Sequence, residues 1–307
     1  MRVPASLAGL PWGVPLNFLG LEPETAAWEA ARGVVLPIPY EATVSYGGGT
    51  RLGPEAVLRA SRYVELYDEE LGSEPAVCGI ATLPALTLPV AGPDAAVVAL
   101  EEAFDRILEA AESRFVVAIG GEHGLTPPLV RVHARRQATR GRELTILQLD
   151  AHADLRDRFE GSPHSHACAM ARCADVARVV GVGIRSLSRE EAERLRAEPE
   201  RLTAVFAHEI SHDADWMERV LASLRSPVYV TLDVDVFDPS FLPATGTPEP
   251  GGLTWAQVTG LLRETFARFD VVGADVVELA PLPGVHAPDF AVAKLVYKLF
   301  GYRFTRA

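Results

Sequence analysis

Short runs of almost unbroken apolar residues, separated by helical stretches, constrain this chain more than any other feature in it. They fall at residues 34–40 (VVLPIPY), 115–121 (FVVAIGG), 144–150 (LTILQLD), 179–184, 203–206, 228–235 (VYVTLDVD) and 270–279 (DVVGADVVEL). A strand with one wet face alternates polar and apolar residues, whereas a run that is apolar throughout must be covered on both faces. The helical stretches are clearest over 94–112, where Val97, Leu100, Phe104, Ile107, Leu108 and Ala111 recur at three- and four-residue steps. Gly53-Pro54 opens another helix, with proline in its first turn. The pattern predicts an α/β fold, a parallel sheet with helices on both faces. No linker-like shift in composition and no internal repeat divides the 307 residues. One domain over 1–307 is expected, with a proline- and glycine-spotted arm over 1–30.

Composition removes several function classes. Lys and Arg total 29 against 41 Asp and Glu, a net charge of −12, which argues against nucleic acid and anionic membrane surfaces as partners. Cys78, Cys168 and Cys173 are too few, and odd in number, for a disulfide framework. Three reduced thiols in a cytoplasmic protein are expected, with Cys168 and Cys173 packing a helix. The first twenty residues show no signal-peptide pattern, and no stretch approaches the ~20 apolar residues of a membrane span.

Ligands of open parallel sheets bind beyond the carboxyl ends of the strands. Here those ends carry acids and histidines: Gly121-Glu122-His123, Asp150-Ala151-His152-Ala153-Asp154, Asp233-Val234-Asp235, and Glu278. Two-residue spacing puts Asp150, His152 and Asp154 on one face of an extended segment, and Asp233 and Asp235 likewise. Carboxylates converging on one spot are too costly to bury uncompensated. A pair of divalent cations would neutralise them, and carboxylate plus imidazole without thiolate favours manganese. Two such ions lower the pKa of a water toward neutrality. The resulting nucleophile suits a carbon already polarised by positive charge, such as that of a guanidinium. The planar N–H fork of that group pairs with a carboxylate, and Glu278, in the otherwise apolar VVELAP, is placed for it. His166, in SHACAM, is the candidate to carry a proton to the leaving amine, with His164 as its competitor. Each feature alone has a plainer reading: a polar loop, an acidic turn, a strand-end carboxylate, a structural histidine. Their joint occurrence at successive strand ends favours a site. His133, His208, His212 and His286 have no partner motif and are expected to be structural or on the surface.

Six segments, in order, resemble the ureohydrolase family of arginases and agmatinases: GGEH (120–123), DAHADLRD (150–157), SHACAM (165–170), GIRS (183–186), TLDVDVFDPS (231–240) and ATGTPEPGGL (244–253). The resemblance implies a three-layer α/β/α fold with a mostly eight-stranded parallel sheet and two Mn2+ ions per chain. It would have His123, Asp150, Asp154 and Asp233 hold one ion, and His152, Asp150, Asp233 and Asp235 the other. It implies that Glu278 binds the guanidinium, that His166 moves the proton, and that Thr247 lines the pocket floor. It also implies a small cationic guanidino substrate and a homo-trimer or homo-hexamer. Arginases read the amino-acid end of arginine with an Asn after D-x-H-x-D and a D-V-D after G-L-R. This chain has Arg156-Asp157 and Ser186-Leu187-Ser188 there. GIRSLSREE, YEATVSYGGGTRLGP and EGSPHSHACAM look like agmatinases, so Mn-dependent hydrolysis of agmatine to putrescine and urea is the expected reaction. The alternatives are another guanidino compound (N1-aminopropylagmatine, guanidinobutyrate or arginine) or a non-catalytic metal-binding homologue. Two departures stand out: Gly124 where the family more often has Ser, and Ala244 where agmatinases often have Gly. YGGGTRLGP lacks the Lys-Ser/Thr ending of a phosphate loop and is expected to be a mobile substrate loop.

Overall fold

The structure, a computed structural model, describes residues 15–305, so the expected arm over 1–30 lies partly outside the described residues. At the described end of that segment Phe18, Leu19 and Leu21 are buried, and the Phe18 ring packs 6.1 Å from that of Phe300. Eight strands form one sheet: β1 (Gly33–Ile38), β2 (Ile80–Thr82), β3 (Phe115–Gly120), β4 (Thr145–Leu149), β5 (Arg178–Ile184), β6 (Leu202–Phe206), β7 (Val228–Asp233) and β8 (Val271–Val277). Their order is β2-β1-β3-β8-β7-β4-β5-β6, and every pairing is parallel. Seven strands occupy the seven apolar runs. β2 is the addition; three residues are too short to display a period.

Alternate residues of each strand enter two separate cores. Val34, Leu36 and Ile38 of β1 face Leu100, Phe104, Leu129 and Val130 from the helices Pro93–Ala111 and Thr126–Ala138. Val35, with Val117, Leu147 and Val230, faces Leu261, Leu262, Val296 and Leu299 from the helices Trp255–Arg268 and Ala287–Phe304. Both faces are dry, which is why the strands carry no polar alternation. The result is the three-layer α/β/α arrangement. Truncating one of these fully buried leucines to alanine would cost about 2–5 kcal/mol.

The strand order also locates a crevice. β3 and β4 are consecutive in the chain, yet β8 and β7 lie between them. The connections leaving β3 and β4 therefore diverge, and the ends of β3, β8, β7 and β4 open between them. Among the described residues, no helix is long and apolar enough to cross a membrane.

Candidate metal centre

Those four adjacent strand ends deliver the acids and histidines. β3 runs into Gly121, whose backbone presses on the Tyr40 carbonyl so closely that a Cβ would stand 1.9 Å from that oxygen. Only glycine permits the contact, and the turn sends the His123 side chain inward, where it is 1 % exposed. β4 ends at Leu149, and Asp150 follows with no exposed surface. Asp233 closes β7, and Glu278 follows β8.

Two of these segments are not extended as the two-residue spacing predicts. Asp154 has φ 53°, in the left-handed region, and Val234–Val236 form a 3-10 turn whose Asp235 N–H donates to Asp233 Oδ1 at 2.9 Å. These bends, rather than a shared strand face, bring the carboxylates together. Arg185 stabilises the second bend: its guanidinium donates to the carbonyls of Asp235 at 2.7 Å and Glu249 at 2.8 Å. Glu278 is also left-handed, at φ 66°. For residues with a Cβ that conformation is uncommon and costs about 1–2 kcal/mol.

Around His123, Nδ1 stands 3.1 Å from Asp150 Oδ2, 3.0 Å from Asp154 Oδ2 and 3.5 Å from Asp233 Oδ2. That nitrogen is buried and makes no hydrogen bond. Around His152, Nδ1 stands 2.8 Å from Asp235 Oδ2 and 3.7 Å from Asp150 Oδ1. Two overlapping donor groups result, His123–Asp150–Asp154 and Asp150–His152–Asp235, each with its ligand atoms within 4.8 Å of one another. Asp150 belongs to both.

The electrostatics point the same way. Burial pushes the Asp233 carboxyl well above the carboxylate range, and the charges of Asp235 and Asp150 push it further. Asp154 rises to about 6 through burial and the neighbouring Asp150. Burial would lower His123, but contacts with Asp150, Asp154 and Asp233 carry it well above its ordinary value. Such crowding needs a positive charge among the oxygens, and an unpaired imidazole nitrogen facing three carboxylate oxygens is a donor set for a cation. Hard oxygens with imidazole and no thiolate suit a divalent metal.

The protonation of His123 follows from its other contacts. Its Nε2 meets Thr231 Oγ1 at 2.9 Å. Thr231 spends its hydroxyl proton on Asp275 Oδ1 at 2.6 Å, so it accepts the His123 Nε2–H. Nε2 thus keeps its proton, which leaves Nδ1 as the atom that would give a lone pair to a cation. Asp275 is fully buried and also takes the hydroxyls of Thr126 at 3.1 Å and Tyr229 at 2.8 Å. The sequence reading did not single out Thr231 or Asp275. They were visible as polar residues inside apolar strands, and the parallel register pairs them directly.

Glu278 is 8 % exposed, and its Oε1 accepts the His123 backbone N–H at 2.6 Å. His166 faces the segment 41–51, with Nε2 3.0 Å from Ser45 Oγ and Nδ1 3.2 Å from Thr43 Oγ1. His164 points elsewhere, to Asp94 Oδ1 at 3.3 Å. Thr247 is half-buried on a loop whose Gly246 carbonyl accepts the Gly47 N–H at 3.1 Å. Glu41 Oε2 accepts the N–H groups of Gly49 at 3.0 Å and Arg51 at 2.9 Å, which folds the glycine-rich segment back on itself. His133 is buried between the rings of Phe104 and Tyr229, away from the cluster.

A family profile described as "Arginase family" matches residues 31–301. The chain is 42 % identical over 295 residues to the N(1)-aminopropylagmatine ureohydrolase of Synechocystis sp., covering 94 % of each protein. It is 33 % identical over 269 residues to the agmatinase of Pyrococcus horikoshii, covering 87 % of this chain and 90 % of that one. The solved agmatine ureohydrolase of Thermoplasma volcanium superposes with a TM-score of 0.80 at 28 % identity, over 91 % of this chain and 92 % of the other.

Proposed function

Because this chain belongs to the arginase family of guanidino-group hydrolases, we propose that it removes urea from a linear cationic guanidino compound, with N1-aminopropylagmatine ahead of agmatine as substrate. The observation that carries the reading is the unpaired, buried His123 Nδ1 facing three carboxylate oxygens beside Glu278. The order of substrates rests on the relatives: 42 % identity to the Synechocystis protein against 33 % to the Pyrococcus one.

In this reading His123, Asp150, Asp154 and Asp233 hold one divalent ion, and His152, Asp150, Asp233 and Asp235 the other, with Mn2+ as the metal. Once bound, the pair would supply activation of a water at neutral pH and an electrostatic sink for the charge that develops. The chain's residues do the rest. Glu278 pairs with the planar guanidinium N–H groups and holds the central carbon above the cluster. Thr247 lines the floor. Burial brings His166 down to about 4, so it rests neutral and can accept the proton that the attacking water loses. It then gives that proton to the leaving nitrogen as the C–N bond breaks, which yields urea and a primary amine. The 307 residues act as one domain in a cytoplasmic homo-trimer or homo-hexamer. Exposed Leu52, Tyr63 and Phe290 beside one another on a groove support an assembly of that kind.

Urea release, assayed with Mn2+ across N1-aminopropylagmatine, agmatine, guanidinobutyrate and arginine, tests the reading. The first should give the highest kcat/KM. Turnover of arginine without turnover of either polyamine precursor would overturn it.

A further inference from the structure

Glu122, in the turn that carries His123, leads to a second arrangement. Glu122 has no exposed surface. It takes three donors from the segment that follows β1. Oε2 accepts the Ala42 and Thr43 N–H groups, both at 2.6 Å, and Oε1 accepts the Thr43 hydroxyl at 2.8 Å. Thr43 Oγ1 also stands 3.0 Å from the His166 backbone N and 3.2 Å from His166 Nδ1. A threonine hydroxyl has one proton and two lone pairs. Glu122 takes the proton, so both contacts with His166 must be donated to Thr43. One donor is the His166 backbone N–H, and the other is a proton on Nδ1. Nε2 then carries the lone pair, facing Ser45 Oγ at 3.0 Å.

We propose that Glu122 and Thr43 are positioning residues that fix the tautomer of His166, keeping its proton on Nδ1 so that Nε2 is the atom that exchanges protons with substrate. The inference rests on the reading of His166 as the proton carrier. It also accounts for Gly124, one of the two departures from the family pattern. A Cβ there would stand 3.0 Å from Glu122 Oε1 and 3.2 Å from the His164 carbonyl. Three hydrogen bonds hold Glu122 in place, so a larger residue would disturb the relay at its carboxylate end. Ser45 lies on the exposed side of the ring, where an arriving substrate would displace its hydroxyl from Nε2.

Joint X-ray and neutron diffraction of the Mn-loaded enzyme reads the tautomer directly. Deuterium on His166 Nδ1 is expected in the wild type, with its loss from that atom or a turned ring in Thr43→Val. Deuterium on Nε2 in the wild type, or an unchanged ring in Thr43→Val, overturns the proposal. This readout does not depend on turnover, so the rate of His166→Ala judges the proton-carrier reading separately. Kinetics supply the second arm. Thr43→Val should lower kcat by roughly 10- to 100-fold, part of the general acid–base contribution, with metal content unchanged and KM within about twofold. Thr43→Ser, which keeps the hydroxyl, should recover most of that loss. Equal losses in the two variants overturn the proposal. Gly124→Ser should reproduce a weaker form of the Thr43→Val defect in the same crystal and kinetic tests.

Discussion

His123 and His166 each rest on a threonine that rests on a carboxylate, but the two supports differ in kind. Thr231 and Asp275, behind His123, are opposed residues of neighbouring strands in the middle of the sheet, both fully buried. Thr43 and Glu122, behind His166, come from a loop and a turn, and the far side of the His166 ring meets exposed Ser45. The two relays also fix opposite nitrogens, leaving a lone pair on Nδ1 of His123 and on Nε2 of His166. A metal ligand must hold still and lose its proton permanently, which a strand-borne relay enforces. A proton carrier must meet a substrate that comes and goes, which a loop-borne relay allows while keeping the tautomer.

Substitutions should separate the two. The largest effect is expected from Asp233→Ala, which removes the acid that the proposed function assigns to both ions. Metal per chain, measured by atomic emission, should fall from two to one or fewer. Turnover should fall on the order of a thousandfold or more, the several kcal/mol expected of lost metal catalysis. His166→Ala comes next. It should keep two metals and lose about 10²- to 10⁴-fold in kcat; normal turnover would refute its role. Thr231→Val attacks the strand-borne relay without replacing any proposed ligand. Metal affinity, followed by titration of activity against Mn2+, should weaken by roughly 10- to 100-fold, with kcat at saturating metal nearly restored. An unaltered affinity would mean that the buried relay is dispensable.

The smallest effect uses His133 as a control with no carboxylate behind it. Burial draws His133 down to about 3, so it folds neutral. Its folded pKa lies below its unfolded one. Its stabilising contribution is therefore complete above about pH 6.5 and is lost as pH falls toward 3. The loss is about 1.4 kcal/mol per pH unit, or about 2 kcal/mol by pH 5. Chemical denaturation of His133→Phe between pH 7 and 5 should show a flatter decline than the wild type. Parallel declines would place the acid sensitivity elsewhere.

Much of this is legible in the amino-acid sequence. Dry strands announced themselves as apolar runs because both sheet faces are covered, and the acids were legible because they interrupt those runs at their ends. What escaped had physical reasons. β2 is too short to show a period. Asp154 and Asp235 reach the cluster through a left-handed residue and a 3-10 turn, not through strand alternation, and two-residue spacing cannot distinguish these. Asp275 looks like an isolated polar residue until the register sets it against Thr231. Glu122 looks like a companion of His123, because nothing in the local sequence says that the chain after β1 returns to cover it. That return spans 79 positions between Thr43 and Glu122.

The left-handed backbones of Asp154 and Glu278 have an engineering consequence. Glycine at 278 would relax the chain there, and asparagine, at ease in that conformation, would suit 154 while removing a crowded negative charge. Each relief comes with a loss, because glycine would leave the buried His123 N–H without its acceptor and asparagine would withdraw a carboxylate from the donor group. The backbone strain at these two places is thus inseparable from the site, and a campaign for thermal tolerance on this scaffold has to select for turnover in the same round.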